Sequence, residues 1–319
     1  MIELLITNNG VTYIPVIKKE VKWEVSADGS AGKLSFEVRA DGILKVQEGN
    51  EVRLRYNNQD VFFGFVFTKK SSKDNWISIT AYDQLRYLKN KYSYLYENKT
   101  VSKAIKELAD IFQLRLGTID NTQYAIPSLV EDNETLLDII LDGLNETITE
   151  TKQKYILYDK FGELTLTNME NMVTTVLVDA SSIRDFSYES SIDSDTYNRI
   201  ILYYDPDDET ATRQYFKAED VENIQKWGML LYYESVKAPS IGQEKANALL
   251  ALKNKKTRKL SISGGIGNLN VRAGCLVIVN LKLEDTVKQA YMMVSKVTHT
   301  FTNDHHTMNL DLEGAWEDD

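Results

Sequence analysis

Two β-rich stretches of this chain repeat one pattern at a separation of more than 220 residues. In the first, Val46, Gly49 and Val52 lead into an alternating strand ending at Tyr56, and Val66 lies in the apolar strand that follows. In the second, Val271, Gly274 and Val277 lead into an apolar strand ending at Leu281, and Val294 takes the place of Val66. The separation is 225 residues from Gly49 to Gly274 and 228 from Val66 to Val294. A slowly drifting offset is what loop insertions in a duplicated domain produce, and such self-similarity constrains the fold before any local propensity does. A chain that builds one β-module twice presents two equivalent surfaces, which points to assembly before catalysis.

Local patterning divides the chain into three segments. Residues 1–85 read mostly as strands: Lys33 to Arg39 and Glu51 to Tyr56 alternate polar and apolar side chains, with turn signals at Asn8-Asn9-Gly10 and Asp41-Gly42. Short strands at this spacing make a sandwich or a small barrel. Residues 86–170 change to an α+β pattern. Thr100 is placed to cap a helix with Val101, Ala104, Ile105, Leu108, Ala109 and Phe112 on one side. A second helix is expected after Asp132 or Asn133, followed by a hairpin turning at Asp159 to Gly162. From 171 to 319 strands resume, including 258–263, 276–283, 290–301 and 307–313, with helices inserted at about 217–228 and 240–255. Ser240 and Gln243 have the spacing of a capping box for the second of these. The fold class is therefore α+β and mainly β.

Composition excludes several functions. The formal net charge is −10, which opposes the phosphate neutralisation that nucleic-acid binding needs. No apolar run has the length that crosses a bilayer, so membrane insertion is not expected, and the start reads as a strand rather than a secretory signal. The lone Cys275 lies between Gly274 and apolar residues, the setting of a small buried side chain rather than a nucleophile.

His299 and His306 are the candidate metal ligands. A two-residue turn at Asn303-Asp304 makes them diagonal neighbours on one sheet face. Zinc needs three or four ligands, and that face otherwise carries Val297, Phe301, Met308 and Leu310. The glycine-rich Ser261 to Asn268 lacks the ending and the strand-then-helix context of a phosphate loop, and reads as a turn between strands. No cofactor and no catalytic residues are expected. The rival readings are a peptidoglycan hydrolase, for which no acid pair or nucleophile stands out, and a carbohydrate- or receptor-binding β-protein, drawn from the chain's 18 tyrosines.

Three stretches resemble a known family. They are Ala81 to Lys91 leading to Tyr96-Glu97-Asn98-Lys99-Thr100, then Ile224 to Gly228, then Val271 to Gly274 with His299-Thr300-Phe301 and His306-Thr307-Met308. They are similar to the XkdQ-like tail proteins of PBSX-type defective prophages, relatives of the gp27-like baseplate hubs of contractile phage tails. Trp227 departs from the tyrosine of the family pattern. The resemblance implies two similar β-barrel tube domains, 1–85 and 171–319, packed with a smaller α+β domain, 86–170. It also implies a homotrimer whose six tube domains join a sixfold tail tube to a threefold spike. The partners would be tube protein, spike and neighbouring baseplate proteins, with DNA only passing through the channel. Such a particle, a virion or tail-like baseplate, would be assembled in the bacterial cytoplasm.

Overall fold

The computed structural model describes residues 1–206, 212–236, 239–282 and 290–314. The first strands are β1 (Ile2–Asn8), β2 (Val11–Tyr13), β3 (Ile17–Ser26), β4 (Lys33–Arg39), β5 (Glu51–Tyr56), β6 (Gln59–Ser71) and β7 (Trp76–Tyr82). Their side chains alternate as a pleated surface requires: Val21, Trp23 and Val25 of β3 and Leu34, Phe36 and Val38 of β4 are buried, while their neighbours are less so. The spatial order is β3-β4-β7-β6-β5-β1-β2, every adjacent pair antiparallel.

The α+β segment follows as β8 (Lys91–Lys99), α1 (Val101–Ile111), β9 (Leu116–Ile119), β10 (Ile126–Thr135), α2 (Leu136–Thr151), β11 (Tyr155–Asp159) and β12 (Leu164–Asn168). Thr100 caps α1 through the Lys103 N–H, as its sequence position predicts. The second helix begins later than expected. Thr135 caps it, while Asp132 and Asn133 belong to β10, whose register with β8 shifts between Glu131 and Glu134. Asn133 takes a φ of 57°, so the chain spends these residues on a bulge before the helix can start. Ile105, Leu108, Leu136, Ile139, Ile140 and Leu144 then share one core with Tyr96, whose hydroxyl donates to the Ile139 carbonyl at 2.9 Å.

The remaining elements are β13 (Val173–Asp179), β14 (Asp185–Ser191), β15 (Arg199–Tyr204), β16 (Gln214–Glu219), α3 (Val221–Trp227), β17 (Leu231–Ser235), α4 (Gly242–Lys253), β18 (Thr257–Ile266), β19 (Leu276–Asn280), β20 (Ala290–Phe301) and β21 (His306–Glu313). Residue 283, the end of the expected 276–283 strand, lies outside the described residues. The glycine-rich run is not a turn: Gly264 and Gly265 lie within β18. The expected capping box does not form either. A 3₁₀ turn over Pro239–Ile241 leads into α4, and Gln243 instead donates to the Lys217 carbonyl at 2.9 Å.

These strands assemble in the order β14-β18-β21-β20, with β19 on β20 and β13 on β19. Paired off by chain order, that is the arrangement β3-β4-β7-β6-β5-β1 over again. One difference is that β13 runs parallel to β19, whereas β1 is antiparallel to β5. The two sets share a single 13-stranded sheet because β20 also pairs with β3. The expectation of two closed barrels is not met at the level of pairing: among the described residues the pairings form an open path.

The chain divides into two compact units, one comprising Met1–Ser187 with Leu260–Leu312 and the other built on Tyr188–Lys259. In the second unit β16-β15-β17 form a three-stranded sheet covered by α4, with Ile200, Leu202, Val236, Ala246 and Leu249 as its core. The two helices expected as insertions thus belong, with three strands, to a unit having its own core.

Candidate assembly site

The geometry around the two repeated glycines matches bond for bond. The Gly49 N–H donates to the Val66 carbonyl at 2.7 Å, the Val66 N–H to Asn50 at 2.9 Å, and the Asn50 N–H to Gln47 at 3.2 Å. The Gly274 N–H donates to Val294 at 2.8 Å, the Val294 N–H to Cys275 at 2.9 Å, and the Cys275 N–H to Arg272 at 3.2 Å. Both glycines hold a positive φ, 85° and 88°, which an L side chain adopts only under strain. Val46, Val52 and Val66, like Val271, Val277 and Val294, are buried. Packing separates the two turns: a Cβ on Gly274 would lie 2.5 Å from Ile156 of β11, whereas one on Gly49 would meet open space.

The joint between the two strand sets lies where the C-terminal half of β20 pairs with β3, from Lys296 opposite Ser26 to Phe301 opposite Val21. Trp23 stacks on His299 across it, ring centroids 5.2 Å apart, and Lys296 forms an ion pair with Glu24 at 3.2 Å. His299 and His306 come together here. His299 Nδ1 lies 2.9 Å from His306 Nε2, and His299 Nε2 lies 2.9 Å from the Val271 carbonyl. The Val271 carbonyl can only accept, so His299 Nε2–H donates to it, and the neutral ring then accepts at Nδ1 from the His306 Nε2–H. Burial and the neighbouring His306 push His299 down to about 3, and burial pushes His306 down to about 4. Phe301 stacks on His306 with centroids 4.4 Å apart, and Tyr56 meets it edge-on. Among the described residues no His, Cys, Asp or Glu completes a set of three ligands around them. The arrangement does the work of a core contact that ties β20, β21 and the Val271 turn together.

A second buried polar cluster has no counterpart in the expected site residues. Asp83 accepts from the Gly32 N–H at 2.8 Å and from the Leu85 N–H at 3.1 Å, capping the 3₁₀ turn Gln84–Lys89. Asp159 accepts from the Gly162 N–H at 2.7 Å, and Arg272 donates to the Asp159 carbonyl at 2.9 Å while its guanidinium lies 3.7 Å over the Tyr158 ring. Gln84 bridges the Arg115 and Gly162 carbonyls at 2.8 and 3.1 Å. Burial and the nearby Asp159 raise the Asp83 carboxyl well above the usual range, and burial pushes Asp159 up to about 6. Burial opposes the Arg272 charge, which Tyr158, Asp159 and Asp83 favour. The cluster therefore pins the end of β7, the β11–β12 turn and the second repeated turn to one another. Its sequence signals were an acid preceding a helical run, at Asp83, and a charge within the repeated turn, where Arg272 stands in place of Gln47. Cys275 is a buried thiol pushed up by burial, which disfavours the reactive thiolate. No helix among the described residues is long and apolar enough to cross a membrane.

This mainly β architecture is the fold of prophage tail proteins. The 43 kDa tail protein of prophage MuSo2 from Shewanella oneidensis superposes with a TM-score of 0.73 at 12% identity, covering 97% of this chain and 98% of that one. The E. coli protein c3393, a type VI secretion component described as similar to the T4 tail proteins gp27 and gp5, gives a TM-score of 0.58 at 10% identity over 99% of this chain and 77% of its own. In sequence, the phage-like element PBSX protein XkdQ of Bacillus subtilis is 31% identical over 274 residues, 84% of this chain and 82% of XkdQ. The chain belongs to the YQBQ-like family, whose model matches residues 21–313.

Proposed function

We propose that this chain is a structural baseplate hub of a contractile tail or tail-like particle. Three chains, each carrying two equivalent tube domains, would form a pseudo-sixfold ring between a sixfold tail tube and a threefold central spike. The observation that carries the reading is the repeated strand order, β3-β4-β7-β6-β5-β1 and β14-β18-β21-β20-β19-β13, with matching hydrogen bonds at Gly49 and Gly274. Doubling one module within a subunit turns three chains into six near-equivalent positions, and closed cyclic symmetry is the usual form of such assemblies. The residues of this site would serve by shape, the buried Val46, Val52 and Val66, with Val271, Val277 and Val294, packing the strands around the two turns.

The acid excess fits the same reading. Three chains carry about three times the formal −10 of one, and a negatively lined channel repels the DNA backbone, so that DNA passes without sticking. The neighbours would be tube protein, spike and other baseplate proteins, in a particle assembled in the bacterial cytoplasm.

The test is the mass of the purified protein in solution together with class averages by electron microscopy. A trimer showing six similar lobes, and capture of tube or spike components, is expected. A protein that stays monomeric at high concentration and captures neither component overturns the proposal.

A further inference from the structure

The two strand sets use the same edges unequally. In the second set, β20 leaves β19 at Met293, stays bonded to the turn through Val294, and then pairs with β3 from Lys296 to Phe301. In the first set, β6 leaves β5 at Phe65 and stays bonded to the turn through Val66, yet among the described residues Thr68 to Ser71 pair only with β7. Those four residues are exposed. At the Val66-to-Val294 spacing they are the counterparts of Lys296 to His299. Likewise β14 holds in the second set the position of β3 in the first, but β14 ends the strand path where β3 continues into β20. Trp23-Glu24-Val25-Ser26-Ala27-Asp28 and Tyr188-Glu189-Ser190-Ser191-Ile192-Asp193 align at a spacing of 165 residues.

We infer that β14 of one chain pairs antiparallel with the C-terminal half of β6 of a second copy, reproducing between chains the β3–β20 joint within each chain. This rests on the ring proposed above and names the edges that close it.

The register follows from the internal joint. There Glu24 lies opposite Thr298. Translating Glu24 to Glu189 and Thr298 to Lys70 sets Lys70 opposite Glu189 and Thr68 opposite Ser191. The charges agree. The free stretch of β6 carries Lys69 and Lys70, β14 carries Asp185 and Glu189, and the internal joint already holds the Lys296–Glu24 ion pair. A basic edge repels another copy of itself, and so does an acidic one. Each is therefore steered toward the other rather than into a two-fold pair. Such a contact is heterologous, and a heterologous contact gives a closed ring when its rotation closes. With one joint inside each chain and one between chains, three chains supply six equivalent joints.

The experiment uses the full chain, with two readouts. Thr68→Cys with Ser191→Cys, and separately Lys70→Cys with Glu189→Cys, are oxidised and run without reductant, the parent with its buried Cys275 serving as control. Interchain disulfides up to a covalent trimer are expected for the paired variants and not for the parent, because directly opposed strand residues bring their Cα atoms within disulfide reach. In parallel, Lys70→Glu is expected to raise the dissociation concentration of the assembly at least tenfold, and Lys70→Glu combined with Glu189→Lys to restore it. A normal trimer with neither cysteine pair linked and no effect of charge reversal overturns the edge assignment and leaves the ring standing. A parent chain that is monomeric and unlinked at every concentration overturns both.

Discussion

At the scale of single residues, Gly274 and Gly49 make a matched pair that separates backbone strain from crowding. Both hold a positive φ, so alanine costs each of them about 1 kcal/mol. Only at Gly274 does the added methyl run into Ile156, which adds roughly 1–3 kcal/mol of overpacking. Urea unfolding is expected to show Gly274→Ala losing clearly more stability than Gly49→Ala. The carboxyl cluster makes a second comparison. Asp83 is raised by burial and by Asp159, so its neutral form is favoured, and asparagine reproduces much of that form's shape. Asp83→Asn keeps only one of the two acceptor oxygens and is expected to cost about 1–3 kcal/mol, whereas Arg272→Ala removes both the cation beside the two buried carboxyls and the donor to the Asp159 carbonyl and is expected to cost more, about 3–5 kcal/mol. Equal losses for the two variants would contradict this assignment of charge.

The histidines and the carboxyls pull stability in opposite directions with pH. His299 and His306 lie below the ordinary 6.5 in the folded chain, so the unfolded chain takes up protons first as pH falls. Their contribution is fully present above pH 6.5 and is lost as pH falls through that value toward about 3 to 4. Asp159 is raised from 3.8 to about 6, so its contribution is present below pH 3.8 and is lost as pH rises through about 6. His299→Gln is expected to flatten the loss of stability on acidification below pH 6.5, by up to about 1.4 kcal/mol per pH unit. Urea midpoints measured across this range for both proteins check it.

At the scale of elements, the β3–β20 joint depends on buried aromatic area as much as on its ladder. Phe301 is fully buried opposite Val21 and stacks on His306, so Phe301→Ala is expected to cost about 3–5 kcal/mol in urea unfolding. An unchanged midpoint would mean that the joint contributes little to the fold. Strands with strict alternation were legible: β4 and β5 span Lys33–Arg39 and Glu51–Tyr56, the ranges the pattern predicts. The start of α2 was not. Asp132 and Asn133 are good capping residues, but they form the bulge between the Glu131–Tyr94 and Glu134–Tyr92 pairs of β10 with β8, and a local preference yields to a long-range ladder. The Ser240–Gln243 box failed for a related reason, since Gln243 finds its partner on β16.

At the scale of the whole molecule, charge and duplication decide what the chain can assemble with. A ring lined by an acidic chain is expected to leave duplex DNA unshifted in a gel even at about 50 mM salt, where non-specific binders hold it best. Retention of DNA that weakens with added salt would contradict the proposed passive channel.

Periodic features could be read directly from the residues: which strands alternate, that the chain is mainly β, and that Val46, Gly49, Val52 and Val66 recur as Val271, Gly274, Val277 and Val294. These depend on spacing along the chain, which the sequence carries directly. The family resemblance was legible for the same reason. It took the folded chain to reveal that the two sets join through β20 and β3 in one sheet, that Tyr188–Lys259 builds its own core, and that Asp83, Asp159 and Arg272 share a buried site. Those features bring together residues far apart in the chain, and no local pattern records which distant edge a strand will find. The half of β6 and the edge of β14 that are unpaired among the described residues belong to that second kind, visible only once β20 is seen paired with β3.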